Sequence, residues 1–147
     1  MALESLPDGI TKVENKAFYA CSGLVLTSLP DGLNTINEAV FRNCVNLALT
    51  SIPDTVTTIG TNAFNGCYNL ALTYLPSSLT TLNNYAFGSC TGLTEITFKS
   101  KPTSLSYRAF QGCTNLLTIN VPWAEGEIAD APWGATNATI NYNYTGG

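Results

Sequence analysis

The hydrophobic positions of this chain recur with a period far longer than that of a helix or a strand. Phe stands at 18, 41, 64, 87 and 110, Cys at 21, 44, 67, 90 and 113, and Leu at 24, 47, 70, 93 and 116. Each series advances by 23 residues without an insertion, and together they use five of the six Phe and all five Cys. Looser columns follow the same step. One is Leu6, Leu29, Ile52, Leu75, Phe98 and Val121, another is Val13, Ile36, Ile59, Leu82 and Leu105, and Ala17, Val40, Ala63, Ala86 and Ala109 keep a small residue beside each Phe. A fixed period of this kind predicts a solenoid, in which each repeat is one coil and like residues stack at the strand spacing of about 4.8 Å. The apolar columns then become ladders along its interior.

Within one repeat the pattern predicts two short extended segments. The first follows each Leu, as in Leu93–Phe98 and Leu116–Val121, where apolar and polar residues alternate. Pro7, Pro30, Pro53, Pro76 and Pro122 mark the strand exit, with Lys99 standing where the fifth Pro is due. Asp-Gly after Pro7 and Pro30 turns the chain. A second segment, such as Val56–Ile59, leads to a tight turn carrying Ala-Phe. The residue before each Leu is only ever Gly or Asn (Gly23, Asn46, Asn69, Gly92, Asn115). These two types tolerate positive φ most readily, so a left-handed residue is expected just ahead of each strand.

The unit Leu-x-x-Ile-x-Ile-Pro-x-x-Val-x-x-Ile-Gly-x-x-Ala-Phe-x-x-Cys resembles the BspA-like, or Treponema-type, class of leucine-rich repeats, and stands most fully in Ile52–Cys67. The resemblance covers residues 3–121 in five in-register copies. It implies a right-handed leucine-rich repeat solenoid, mostly β and loop, with a parallel β-sheet face. It also implies a bacterial surface or secreted protein linked to adhesion and protein binding, with no catalytic residues to carry over. Three strands depart from the pattern: Leu24–Leu29, Leu47–Ile52 and Leu70–Leu75 carry Thr27, Thr50 and Thr73 where Ile is expected, and Leu26, Leu49 and Leu72 one residue earlier. Two arrangements follow. In a simple register the Thr point inward and Leu26, Leu49 and Leu72 form an exposed stripe beside Ser28, Ser51, Tyr74, Glu95, Thr97, Thr118 and Asn120. In the other, a local bulge turns each Leu inward and each Thr outward. A buried Thr without a partner costs about 1–3 kcal/mol.

The solenoid is expected to occupy residues 1–121 and a C-terminal cap residues 122–147. There the repeat is no longer visible, and Trp123 and Trp133 would cover the open core while Ala138–Tyr142 alternates like a last edge strand. The N-terminus shows no such cap. That predicts either a piece of a longer array or self-association through the uncapped end.

Composition narrows the function. With 11% charged residues and a net charge of −4, the six Lys and Arg form no basic footprint for nucleic acid or an anionic membrane surface. No apolar run approaches the roughly 18–20 residues of a membrane span, so direct membrane insertion is not expected. Met1–Ser5 has none of the features of a signal peptide, so an extracellular or cell-surface location would be reached as part of a longer parent protein.

Candidate chemistry is sparse. The five Cys are odd in number and spaced by 23, unlike the close spacing of zinc ligands, and are expected to be buried apolar groups. Asp8, Asp31 and Asp54 share a turn position, but Ser77 and Ser100 follow in that column, too few oxygens for calcium. There is no His, which removes triads and imidazole acid–base chemistry, and no phosphate-binding Gly loop. The sequons at Asn137 and Asn143 matter only in a glycosylating secretory pathway. Neither enzyme activity nor a cofactor or metal is expected. The expected function is a binding module that recognises a protein or glycan through its sheet face, with Leu26, Leu49, Leu72, Tyr74, Glu95, Thr97 and Asn120 as candidate contacts. The alternative is a structural spacer or display component, for example of a phage tail.

Overall fold

The computed structural model describes residues 3–146. They contain seven short strands, β1 (Thr35–Ile36), β2 (Thr58–Ile59), β3 (Thr81–Leu82), β4 (Glu95–Thr97), β5 (Ser104–Leu105), β6 (Thr118–Asn120) and β7 (Thr139–Asn141), and no helix. The strands form two parallel sheets, one ordered β1-β2-β3-β5 and the other β4-β6-β7. Most paired residues are one repeat apart, as in Thr58 with Thr81 and Glu95 with Thr118. The 23-residue period read from the sequence is therefore the period of the coil.

Between the sheets runs one continuous core. Phe18, Phe41, Phe64, Phe87 and Phe110 stack with centroids 5.2–5.8 Å apart and planes within 14° of parallel. The turns that carry them are tied coil to coil by the backbone: the N–H groups of Phe18, Phe41, Phe64 and Phe87 donate to the carbonyls of Val40, Ala63, Ala86 and Ala109. The small residue beside each Phe leaves room for this approach.

The positive-φ expectation is corrected. None of Gly23, Asn46, Asn69, Gly92 and Asn115 has positive φ. The left-handed residues lie just before the Cys, at Ala20, Asn43, Gly66, Ser89 and Gly112, and before the small residue, at Lys16, Ala39, Asn62 and Tyr85. The Gly/Asn column has another cause, the closeness of the neighbouring coil. Asn46 and Asn115 donate through Nδ2 to the carbonyls of Ser22 and Thr91, 24 residues earlier, at 2.7 and 2.8 Å. At Gly92 a Cβ would lie 2.6 Å from the corresponding carbonyl, that of Tyr68. Asn bridges this gap and Gly fits it.

The exposed leucine stripe of the simple register is also corrected. Leu26 and Leu49 are 0% exposed and Leu72 1%, whereas Thr27, Thr50 and Thr73 face solvent. Both strand variants bury three apolar residues and share the first and last, but the skipped pair differs. Leu70, Leu72 and Leu75 point inward around exposed Thr73-Tyr74, while Leu93, Ile96 and Phe98 point inward around exposed Thr94-Glu95. The distortion moves along the strand to wherever the third apolar side chain demands it. The ladder is less even there. In the Leu-Thr strands Ala48 N and Ala71 N reach the carbonyls of Leu26 and Leu49 at 3.3 and 3.4 Å, whereas Val25 N reaches that of Leu3 at 3.0 Å. In the regular strands Leu117 N and Thr139 N reach those of Thr94 and Leu117 at 3.0 and 2.9 Å.

At the C-terminal end the chain keeps the path of the coil after its sequence has dropped the repeat. Phe110 N donates to Trp133 O, extending the ladder of the Phe turns, and Asn137 Nδ2 donates to Thr114 O in the manner of the Asn column. Trp123 and Trp133 are buried, with Phe98 edge-on to Trp123 at 5.2 Å and the two indoles 6.0 Å apart. β7 is the last rung of its sheet. At the other end Leu6, Ile10, Phe18 and Cys21 are only partly buried.

Candidate functional site

The Cys column belongs to the core. The thiols of Cys44, Cys67, Cys90 and Cys113 donate to the carbonyls of Phe18, Phe41, Phe64 and Phe87 at 2.8–3.1 Å, each 26 residues earlier. Burial pushes the Cys44 thiol up to about 11 and those of Cys67 and Cys90 higher still, because a thiolate would lose its water there. All five are free, and Cys21 is the half-buried one. Alkylation of the native protein is therefore expected to add one adduct, at Cys21, and denaturation to release the other four. Rapid native labelling at Cys67 or Cys90 would contradict the packing.

The predicted face residues separate into three groups. Leu26, Leu49 and Leu72 are core and present nothing to a ligand. Glu95, Thr97 and Asn120 share the β4-β6-β7 face, but they are engaged with one another. Asn120 Nδ2 donates to Glu95 Oε2 and Thr97 Oγ1, both at 2.9 Å, and Asn141 Nδ2 donates to Asn120 Oδ1 at 2.8 Å. Asn120 is 1% exposed and Thr97 7%. This polar ladder ties three rungs together. Tyr74 stands apart from both groups, 51% exposed, where the irregular Leu-Thr strands meet the regular sheet through a bridge to Thr97.

Beside Tyr74 lies a cleft of about 320 Å³, lined by Tyr74, Thr97, Phe98, Lys99, Pro122 and Tyr144, with Thr145 and Gly146. Its size is at the lower end of small-ligand sites. Lys99 Nζ sits 5.5 Å from the Tyr74 ring centroid, a cation on an aromatic face. Tyr144 is held in place by its own N–H, which donates to Val121 O at 2.9 Å, and by Asn143 N donating to Trp123 O. The C-terminal segment thus completes the site as well as covering the core.

The cleft gathers residues that break their columns. Tyr74 replaces the serines of the series Ser28, Ser51, and Lys99 replaces the prolines of Pro30, Pro53, Pro76. The Lys99 break was visible in the sequence, whereas Tyr144 carried no repeat register to place it. Two other features are less suited to a ligand. A larger hollow of about 420 Å³ at the N-terminal end is lined by Leu3, Phe18, Cys21 and Leu24, which are edges of the core ladders. On the Phe turns Arg108 lies over Tyr107 and Tyr85 and donates to the Tyr85 hydroxyl, so that group is already satisfied by its neighbours.

A BspA type leucine rich repeat region, in six copies, is matched over residues 4–130. The chain belongs to the BspA-type leucine-rich repeat family. Among solved structures this BspA-type chain is similar to the Treponema pallidum leucine rich repeat protein, with 29% identity and a TM-score of 0.72 over 97% of this chain and 68% of that one. It is also similar to a leucine rich cell surface protein of Faecalibacterium prausnitzii, with 30% identity and a TM-score of 0.68 over 76% of this chain. A leucine-rich repeat protein of Bacteroides ovatus gives 27% identity and a TM-score of 0.65 over 79% of this chain. This chain spans only 30% of the Bacteroides protein and 29% of the Faecalibacterium one. No curated protein has a matching sequence.

Proposed function

We propose that this BspA-type chain is a non-enzymatic recognition module, adhesin-like and displayed at a bacterial surface or secreted, which binds a protein or glycan in the cleft beside Tyr74. The observation that carries this reading is the convergence of column-breaking residues on one cleft. In a solenoid the stacking of like on like dictates the buried columns, and a large Tyr where the earlier repeats have Ser and a Lys where they have Pro serve no buried ladder. Half-exposed aromatic rings beside a cation are common in recognition surfaces. The absence of His from the sequence supports a role without catalysis, and the resemblance to a cell surface protein supports the location.

The test is a screen of immobilised glycans and surface proteins with the chain and its Tyr74→Ala variant. Loss of an aromatic anchor that a ligand buries costs about 2 kcal/mol or more, so affinity for any ligand found is expected to fall by about 30-fold. Tyr107→Ala, equally exposed but on the Phe turns, should leave it unchanged. Equal binding by wild type and Tyr74→Ala would sink the assignment, and a chain that binds nothing would favour a spacer.

A further inference from the structure

Resting on that reading of the cleft, we propose that its ligand is an acidic saccharide, with a ring-borne carboxylate on Lys99 and the sugar ring against Tyr74 and Tyr144. Three features define this class. The first is charge. Among the described residues Lys99 is the one charged residue lining the cleft, in a chain whose net charge is −4. Asp54, the nearest acid among the described residues, is 3.9 Å from Lys99 Nζ and does not line the cleft. Its carboxylate already accepts from Ser77 N at 2.8 Å, and that backbone bond chiefly, with Lys99 as a smaller cause, holds it below the usual carboxylate range. An anion entering the cleft therefore meets an ammonium group and, among the described residues, no lining carboxylate.

The second feature is the mixture of surfaces. Tyrosine faces are electronegative and favour the C–H side of a saturated ring. The hydroxyl rim of a sugar needs polar partners, and Thr145, the tyrosine hydroxyls and the ammonium of Lys99 supply donors and acceptors. The third feature argues against a peptide. Peptide capture on a sheet uses a free strand edge. Here the backbone beside the cleft is already paired: Thr97 N donates to Thr73 O, Leu75 N to Thr97 O and Phe98 N to Asn120 O. Strand addition is thereby closed off and recognition falls to side chains, the tyrosine faces taking a ring and the cation selecting an acidic one.

The experiment uses the intact chain and measures binding to hexuronate oligosaccharides, to the same oligosaccharides with their carboxyls reduced to alcohols, and to an acidic peptide. Wild type should bind the hexuronates at least about tenfold more tightly than the reduced forms, with affinity falling as salt rises. Lys99→Met should abolish that preference, and Tyr74→Ala should lose both saccharides. Wild-type preference for reduced sugar or peptide, a preference that survives Lys99→Met, or no saccharide binding at all would overturn the acidic-saccharide assignment. If reduced sugars or the peptide bind and Tyr74→Ala abolishes that binding, the cleft stands and only the ligand class falls. If Tyr74→Ala binds everything as wild type does, the cleft falls with it.

Discussion

Leu49→Glu is expected to unfold the chain, while Thr50→Glu, one residue away, is expected to leave its stability within about 0.5 kcal/mol. The contrast follows from the distorted strand. Leu49 is 0% exposed and lies in the core between Leu26 and Leu72, whereas Thr50 faces solvent. A glutamate at 49 would forfeit the burial of a leucine, about 1.5–3 kcal/mol, and place an unpaired carboxylate among apolar side chains. The total, about 4 kcal/mol or more, is a large fraction of the roughly 5–15 kcal/mol that holds an ordinary domain folded. In a simple register the outcomes would be reversed, with Leu49→Glu harmless and Thr50→Glu disruptive. Circular dichroism and urea midpoints of the two variants decide between them.

Phe64→Ala is expected to cost about 3–5 kcal/mol, and Phe18→Ala substantially less. Phe64 is fully buried between Phe41 at 5.4 Å and Phe87 at 5.2 Å, so its removal opens a void in the middle of the stack and orphans two ring faces. Phe18 has one stacking neighbour, at 5.8 Å, and is only partly buried. Because each coil contacts mainly its neighbours, the loss at 64 also weakens the coupling between the two halves of the solenoid. A broadened or two-step urea transition for Phe64→Ala, with a single shifted transition for Phe18→Ala, is the expected pattern. Equal losses at both positions would mean that the stack does not carry the stability assigned to it.

The fold was legible because the core is built from columns. A residue repeated every 23 positions must face its own copy, and the Phe and Cys series could be placed inside before any strand was assigned. What remained ambiguous was local. The Leu-Thr strands keep the same first and last inward residues as the regular strands, so the period alone cannot say where between them the chain skips a residue. Gly and Asn before each Leu pointed to positive φ, but the same two residue types also suit a position where a neighbouring carbonyl comes close, and that is their role at Asn46, Gly92 and Asn115.

The candidate cleft was legible in part, through Tyr74 and the break of the Pro column at Lys99. Alternation grouped Thr97 and Asn120 with Glu95 and expected them to face outward, but both are buried. It could not show that their side chains bond to Glu95 and to each other, since those partners lie 23 and 25 residues away in sequence. Tyr144 was beyond reach, because the segment that carries it follows the coil without repeating its residues.

The cleft beside Tyr74 as the recognition site is tested most directly by hydroxyl-radical footprinting of the tyrosines with and without a bound ligand. Four of the seven tyrosines, Tyr19, Tyr68, Tyr74 and Tyr107, are between 44% and 52% exposed and sample different sides of the solenoid. Ligand is expected to protect Tyr74 and Tyr144 and to leave Tyr19, Tyr68 and Tyr107 as reactive as before. Protection at Tyr107 or Tyr19 with Tyr74 unchanged would contradict the account and move the binding surface to the Phe turns.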